Sequence, residues 1–80
     1  MKVMLSESTA LSYTTVYVTQ VVETLIGRGE TQREAIGKVK KAIMRNNESN
    51  TVRFEMVAST ITEDKNTVRV LISYYIIRIQ

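Results

Sequence analysis

The sequence predicts a single α+β domain with β-α-β-β order, in which an antiparallel three-stranded sheet carries one helix packed on one face. Three observations predict this fold. Residues 31–34 form a helix-capping sequence, residues 51–62 alternate between two sets of side chains, and residues 68–79 form a long apolar run. A chain of 80 residues with 44% hydrophobic side chains is typical of one small globular domain.

Residues 1–13 are interpreted as an N-terminal arm or short strand, and residues 14–80 as the folded domain. Residues 14–26 leave two alternatives open. Their many β-branched side chains favour a strand, whereas the pairwise alternation of polar and apolar residues is also typical of a helix that buries Val18, Val21, Val22 and Leu25. We expect a strand here.

The clearest local signal is the capping box Thr31-Gln32-Arg33-Glu34, in which Thr31 and Glu34 each bind the other's backbone amide. It predicts a helix from about Gln32 to Arg45, after a turn at Gly27-Arg28-Gly29. One stripe of this helix is apolar and is expected to face the sheet: Ala35, Ile36, Val39, Ala42 and Ile43.

Residues 51–79 are predicted to form a long antiparallel hairpin that turns at Glu63-Asp64-Lys65-Asn66. Regular alternation of the first strand places one set of side chains toward the helix, namely Val52, Phe54, Met56 and Ala58. It places the other set on the opposite face, namely Arg53, Glu55, Val57, Ser59 and Ile61.

The last strand is apolar on both faces. Its even-numbered side chains, from Val68 to Ile76, can pack against the helix stripe. Its odd-numbered side chains have no cover in this architecture, and a strand at the surface of a monomer normally has one polar face. We therefore predict a homo-oligomer whose interface contains Leu71, Tyr75, Ile77 and Ile79.

The composition argues against catalysis. The chain has no His and no Cys, which removes the usual acid–base group, the thiol nucleophile and common metal ligands. Because no carboxylate pair stands out either, we predict no enzyme activity and no metal site. The apolar runs are shorter than the ~20 residues of a membrane span, and no signal peptide is recognisable, so a cytoplasmic location without membrane contact is expected.

A second set of candidate residues lies on the polar side of the helix. Arg33, Lys38, Lys41 and Arg45, with Lys40 nearby, form a basic face that could contact the phosphates of a nucleic acid. An ordinary solvated helix face with a Glu34–Lys38 pair explains the same residues. A small nucleic-acid-binding or regulatory protein is therefore the alternative interpretation.

The chain resembles the dodecins, small β-α-β-β proteins that assemble into hollow dodecamers and bind flavins. The resemblance covers roughly residues 16–79 and rests on short stretches in the first strand, at the helix entry and in the second strand: Val16-Tyr17, Val22-Glu23, Gly29 to Ile36, and Phe54-Glu55-Met56-Val57. It implies a non-enzymatic homo-oligomer that binds or stores a small ligand, or that is purely structural.

Two departures from the dodecin pattern concern the ligand. The flavin-binding members stack the ring on a Trp just before the Phe-Glu pair, where this chain has Arg53, and they use a Gln in the last strand, where this chain has none in the middle. Arg53 favours an anionic ligand instead. The candidate ligand-binding residues are Arg53, Glu55 and Tyr75, and the identity of a ligand or cofactor stays unknown.

If residues 14–26 form a helix, the first half of the chain is similar to the ribbon-helix-helix DNA-binding proteins. Lys2–Leu5 would then be the ribbon, and Thr31–Lys38 would open the second helix. Residues 51–79 have no counterpart in that arrangement, so it ranks second. The conformation of residues 14–26 separates the two interpretations.

Overall fold

The computed structural model describes residues 13–79, which form one antiparallel three-stranded sheet with a helix on one face. The elements are β1 (Tyr13–Leu25), α1 (Gln32–Asn46), β2 (Thr51–Ile61) and β3 (Thr67–Ile79). β3 is the central strand and pairs with β1 on one side and β2 on the other. The predicted fold class and element order are confirmed. Residues 1–12 of the predicted arm lie outside the described residues.

β1 decides between the two alternatives for residues 14–26. All 13 residues of this strand pair with β3, from Tyr13 opposite Ile79 to Leu25 opposite Thr67. Val18 and Val22 pack against the core beneath the helix, whereas Val21 and Leu25 are exposed on the other face. The β-branched composition therefore outweighs the helix-like spacing, and the ribbon-helix-helix arrangement, which needs a helix here, is wrong.

α1 begins where the capping box predicts. The Glu34 amide donates to Thr31 Oγ1 at 3.1 Å, and the Thr31 amide donates to Glu34 Oε1 at 2.9 Å. Gly29 in the preceding turn has a φ of +75°, a conformation that glycine adopts without steric cost. Over residues 13–79, no helix is both long and apolar enough to cross a lipid bilayer.

The apolar stripe of α1 packs on the even-numbered side chains of β3. Val68, Val70 and Ile72 have no exposed surface, and they pack with Ala35, Val39 and Ile43 of the helix, as predicted. Tyr74 lies in the same core with its ring 5.9 Å from that of Phe54, and its hydroxyl donates to Gln20 Oε1 at 2.5 Å. Ala42 is exposed, so its predicted place in the buried stripe is wrong. It lies at the margin of the stripe, beyond the edge that contacts the sheet.

β2 contains an irregularity that the alternation pattern did not predict. Phe54 pairs with Tyr74 and Met56 pairs with Ser73, which leaves Glu55 as the extra residue of a β-bulge. One extra residue reverses the alternation of everything that follows it. Gln32 at the start of α1 accordingly reaches Ser59, whose Oγ accepts from Gln32 Nε2 at 2.5 Å.

The bulge overturns part of the predicted face assignment. Val52 and Phe54 lie toward the helix as expected, but Met56 and Ala58 lie on the opposite face. The prediction is also wrong for three residues that it assigns to the opposite face, namely Val57, Ser59 and Ile61. They pair with buried residues of β3 and therefore lie on the helix side. The face that carries α1 is called the covered face below, and the opposite face of the sheet is called the open face.

Candidate functional site

The open face is built from rows of side chains that run across the three strands. Strand register sets each row, because residues directly opposite each other project to the same side. Three successive rows lie near its middle: Tyr17–Tyr75–Arg53, Thr19–Ser73–Met56 and Val21–Leu71–Ala58. One charged pair lies next to them, where Arg69 Nε is 2.8 Å from Glu23 Oε2.

The row Tyr17–Tyr75–Arg53 is the most distinctive group on this face. The rings of Tyr17 and Tyr75 have centroids 4.8 Å apart and are tilted by 47°. The guanidinium carbon of Arg53 lies 5.2 Å from the centroid of Tyr75, within the range of a cation–π contact. We call these three residues the aromatic–guanidinium row. It offers flat apolar surface with a positive charge at one end.

Glu55 adds a carboxylate beside this row. Because Glu55 is the extra residue of the bulge, it lies outside the regular alternation, and its Oε2 accepts from the Tyr75 hydroxyl at 3.4 Å. The structure therefore brings the three predicted ligand-binding residues together: Arg53, Glu55 and Tyr75. Sequence reasoning missed Tyr17, although its alternation with Tyr13 along β1 indicated that both share one face.

The open face is uncovered and carries several exposed apolar side chains. Tyr17 is 52% exposed, Val21 59% and Leu25 70%. All four predicted interface residues lie on this face: Leu71 and Ile79 are exposed, and Tyr75 and Ile77 are half-buried. Ser73 is buried between its neighbours, and its hydroxyl has a hydrogen-bond partner in Thr19 Oγ1 at 3.0 Å.

The basic residues of α1 lie on the polar side of the helix, far from the open face. Lys38 pairs with Glu30 at 3.0 Å, because the carboxylate of Glu34 is occupied in the capping box. The Glu34–Lys38 pair considered from the sequence is therefore wrong. The Gly27 amide and the Lys38 ammonium lower the pKa of Glu30. Within residues 13–79, three basic side chains of the helix are exposed and make no ion pair: Arg33, Lys41 and Arg45.

A groove lies between α1 and β1. Its volume is about 270 Å³, and its walls include Val22, Val39 and Ile43, with Lys38 at the rim. That volume is below the roughly 300–1,000 Å³ of ordinary small-molecule pockets. In the part of the chain that the structure describes, no cluster of three or more carboxylates is placed to hold a metal ion. The open face is therefore the stronger candidate for a ligand site.

No protein-family model, curated protein or solved structure matches this chain. The dodecin resemblance stays a prediction.

Proposed function

We propose that this protein is a non-enzymatic homo-oligomer that covers its open face with other copies of the same chain and binds a small planar, anionic ligand at the aromatic–guanidinium row. One observation carries the proposal. The open face combines several exposed apolar side chains with a row of contacting Tyr17, Tyr75 and Arg53 side chains that nothing within residues 13–79 covers.

The exposed apolar area supports association. Monomeric proteins rarely expose contiguous apolar patches of more than a few hundred Å², and larger ones mark interaction sites. On the open face, three successive rows expose the apolar side chains of Tyr17, Met56, Val21 and Leu71, and the middle row also holds the polar pair Thr19–Ser73. Burying this surface against a second sheet would stabilise both copies by about 25 cal/mol per Å² of apolar area.

The arrangement of the aromatic–guanidinium row favours a second copy of the same chain as the surface that covers the open face. Oligomers most often form through two-fold axes that place the same patch of each subunit face to face. A two-fold axis parallel to β3 would set Tyr17 of each copy opposite Arg53 of the other, with the Tyr75 side chains near the axis. Each guanidinium would then face an aromatic ring of the other copy, so the patch is complementary to itself, and a planar ligand bound at the row would lie between the two copies.

The same row supports binding of a planar anion. Tyr rings supply apolar stacking surface, and a guanidinium supplies a fixed charge that phosphate and carboxylate groups bind well. The dodecin resemblance points to flavins as the first compounds to test. Flavin mononucleotide carries a phosphate that riboflavin lacks, so the two compounds separate ring stacking from charge recognition.

The oligomer is tested by light scattering coupled to gel filtration, on the full chain and on the Leu71→Asp variant. Leu71 is 38% exposed in the centre of the open face, and an aspartate there would be buried without a partner on association. We expect wild type to exceed the 9.1 kDa of one chain and Leu71→Asp to approach it. The control is Ser49→Asp, an exposed residue between α1 and β2, which should keep the wild-type mass.

Ligand binding is tested by quenching of flavin fluorescence. We expect flavin mononucleotide to bind more tightly than riboflavin, and Arg53→Gln to remove the difference. A charge-assisted hydrogen bond is worth about 1.5–3 kcal/mol, or roughly 10- to 150-fold in affinity. If neither compound is quenched while the oligomer persists, the ligand part of the proposal is wrong and the assembly is structural.

A further inference from the structure

We propose that the polar side of α1 is a contact surface for the phosphodiester backbone of a nucleic acid, which lies along the helix and comes closest to it at Gly37. This surface is separate from the open face. The inference concerns a macromolecular partner and does not depend on the small-ligand site.

The charge of the protein is concentrated on this helix. Five of the eleven basic residues and one of the eight acidic residues lie within α1, so the helix carries a formal charge of +4 and the remainder of the chain carries −1. The one acidic residue, Glu34, is held in the capping box, and the carboxylate that pairs with Lys38 comes from Glu30, outside the helix. The outer surface of α1 therefore keeps most of its positive charge.

The unpaired basic residues form one ridge along the helix. Arg33, Gly37, Lys41 and Arg45 are each separated by four residues, and such residues lie above one another on an α-helix, about 6 Å apart along the axis. The three charged members are exposed and make no ion pair within residues 13–79. Each step of four residues also turns the row by about 40° around the helix, so the cations form an inclined row that winds around α1. An extended row of this kind matches a linear polyanion better than a compact acidic site.

Gly37 is the second, independent observation. It lies inside the helix, where glycine is less favourable than alanine, and its backbone needs no special conformation. A Cβ atom at Gly37 would meet nothing within 4 Å, so close packing does not require glycine either. The missing side chain leaves a gap in the ridge between Arg33 and Lys41. A gap flanked by cations lets a sugar-phosphate chain approach the helix closely.

The chemistry of the ridge favours backbone contact over base recognition. Arginine and lysine bind phosphate oxygens whatever the base sequence is. No aromatic residue lies on the ridge, and single-strand binders that stack bases need aromatic side chains. Duplex DNA is therefore the expected partner form, bound without sequence preference and with a strong salt dependence.

Fluorescence anisotropy with a labelled 20-base-pair duplex, measured between 50 and 200 mM NaCl, tests the contact. Three phosphate contacts predict a slope of log K against log salt of about −3, and steeper if several copies engage one duplex. Lys41→Gln should make this slope less negative by about one for each helix that contacts the duplex. The matched control is Lys65→Asn, which removes one charge from the exposed β2–β3 turn and keeps a residue that tolerates the left-handed backbone there.

Gly37→Gln separates the contact from general electrostatic attraction, because it fills the gap without changing the charge. Relative to wild type it should raise the melting temperature by about 2–8 °C and weaken duplex binding at least fivefold. Unchanged affinity in Gly37→Gln would overturn the close approach at this residue. Equal losses in Lys41→Gln and Lys65→Asn, or no binding at 50 mM NaCl, would overturn the whole proposal. Equal binding of the single strand would contradict the duplex as the preferred form.

Discussion

The covered and open faces of the sheet share the same central strand but differ in what lies over them. Ile72 on the covered face has no exposed surface, whereas its neighbour Leu71 on the open face is 38% exposed. Both are large aliphatic residues in the middle of β3. Their difference in burial comes from the position of α1 alone. A strand that is apolar on both sides is typical of a sheet between two layers, and only one layer is supplied within residues 13–79.

The two faces therefore contribute to stability in different ways. The covered face holds the fully buried aliphatic side chains and closes the core of a single chain. The open face can contribute its apolar area only when another surface covers it, so its contribution depends on protein concentration. Substitutions on the two faces should separate these effects.

The largest expected effect is on the covered face. Ile72→Ala should lower the free energy of unfolding by about 2–5 kcal/mol, because it removes a fully buried side chain and leaves a cavity. Urea denaturation at several protein concentrations measures it. The loss should be the same at every concentration, whereas the loss in Leu71→Ala should grow with concentration. Two losses of similar size that do not depend on concentration would contradict the comparison.

The bulge determines on which face of the sheet the second half of β2 places its side chains, and the second-largest effect is expected there. Val57→Lys should lower the free energy of unfolding by about 2 kcal/mol or more, because it places an ammonium group beneath the helix. Met56→Lys, one residue away on the open face, should change the stability of the isolated chain by only about 0.5 kcal/mol. Thermal denaturation of both variants at low protein concentration gives the comparison. A larger loss of stability in Met56→Lys than in Val57→Lys would contradict the bulge and indicate that β2 alternates without interruption.

This bulge shows where the sequence stops being informative. The capping box at Thr31 and the turn before it are local signals, so the start of α1 was predicted to the residue. Met56 and Val57 are both apolar, and no pattern could reveal that Glu55 is an extra residue between two registers. A bulge is set by the pairing of two strands, which is a property of the assembled sheet.

The candidate site was predictable to a similar degree. Arg53, Glu55 and Tyr75 were selected from the sequence and are brought together by the β2–β3 hairpin. Tyr17 was missed because its contact with Tyr75 joins strands that are far apart in the chain, and their register is not encoded locally. The predicted pair of Lys38 with Glu34 is wrong for a related reason. The turn at Gly29 brings Glu30 toward the helix, and Glu30 pairs with Lys38 instead.

A smaller effect is expected at the helix entry. Thr31→Ala removes the acceptor for the Glu34 amide and should lower the free energy of unfolding by about 1 kcal/mol. Thr31→Ser keeps the hydroxyl and should restore most of the stability. Urea denaturation measures both variants. Because the cap lies outside both faces, its loss should leave the solution mass unchanged, and a change in mass would show that the helix entry takes part in association.

The smallest effect is an acid dependence at Glu30. Its pKa is lowered, first by the Gly27 amide and then by Lys38, so the folded state favours the ionised carboxylate. The resulting stabilisation is fully present above the ordinary pKa of 4.5 and is lost as the pH falls through the lowered value. The difference in melting temperature between wild type and Glu30→Gln should be constant from pH 7 to about pH 5.5 and then shrink. A difference that grows in acid would contradict this account.

The most direct test of the central claim, that other copies of the chain cover the open face, is sedimentation equilibrium of the full chain over a range of concentrations. We expect a mass that approaches at least twice 9.1 kDa, as a whole-number multiple, at high concentration and that falls toward one chain only on dilution or with Leu71→Asp. A mass of 9.1 kDa at every concentration, with the fold intact, would contradict it.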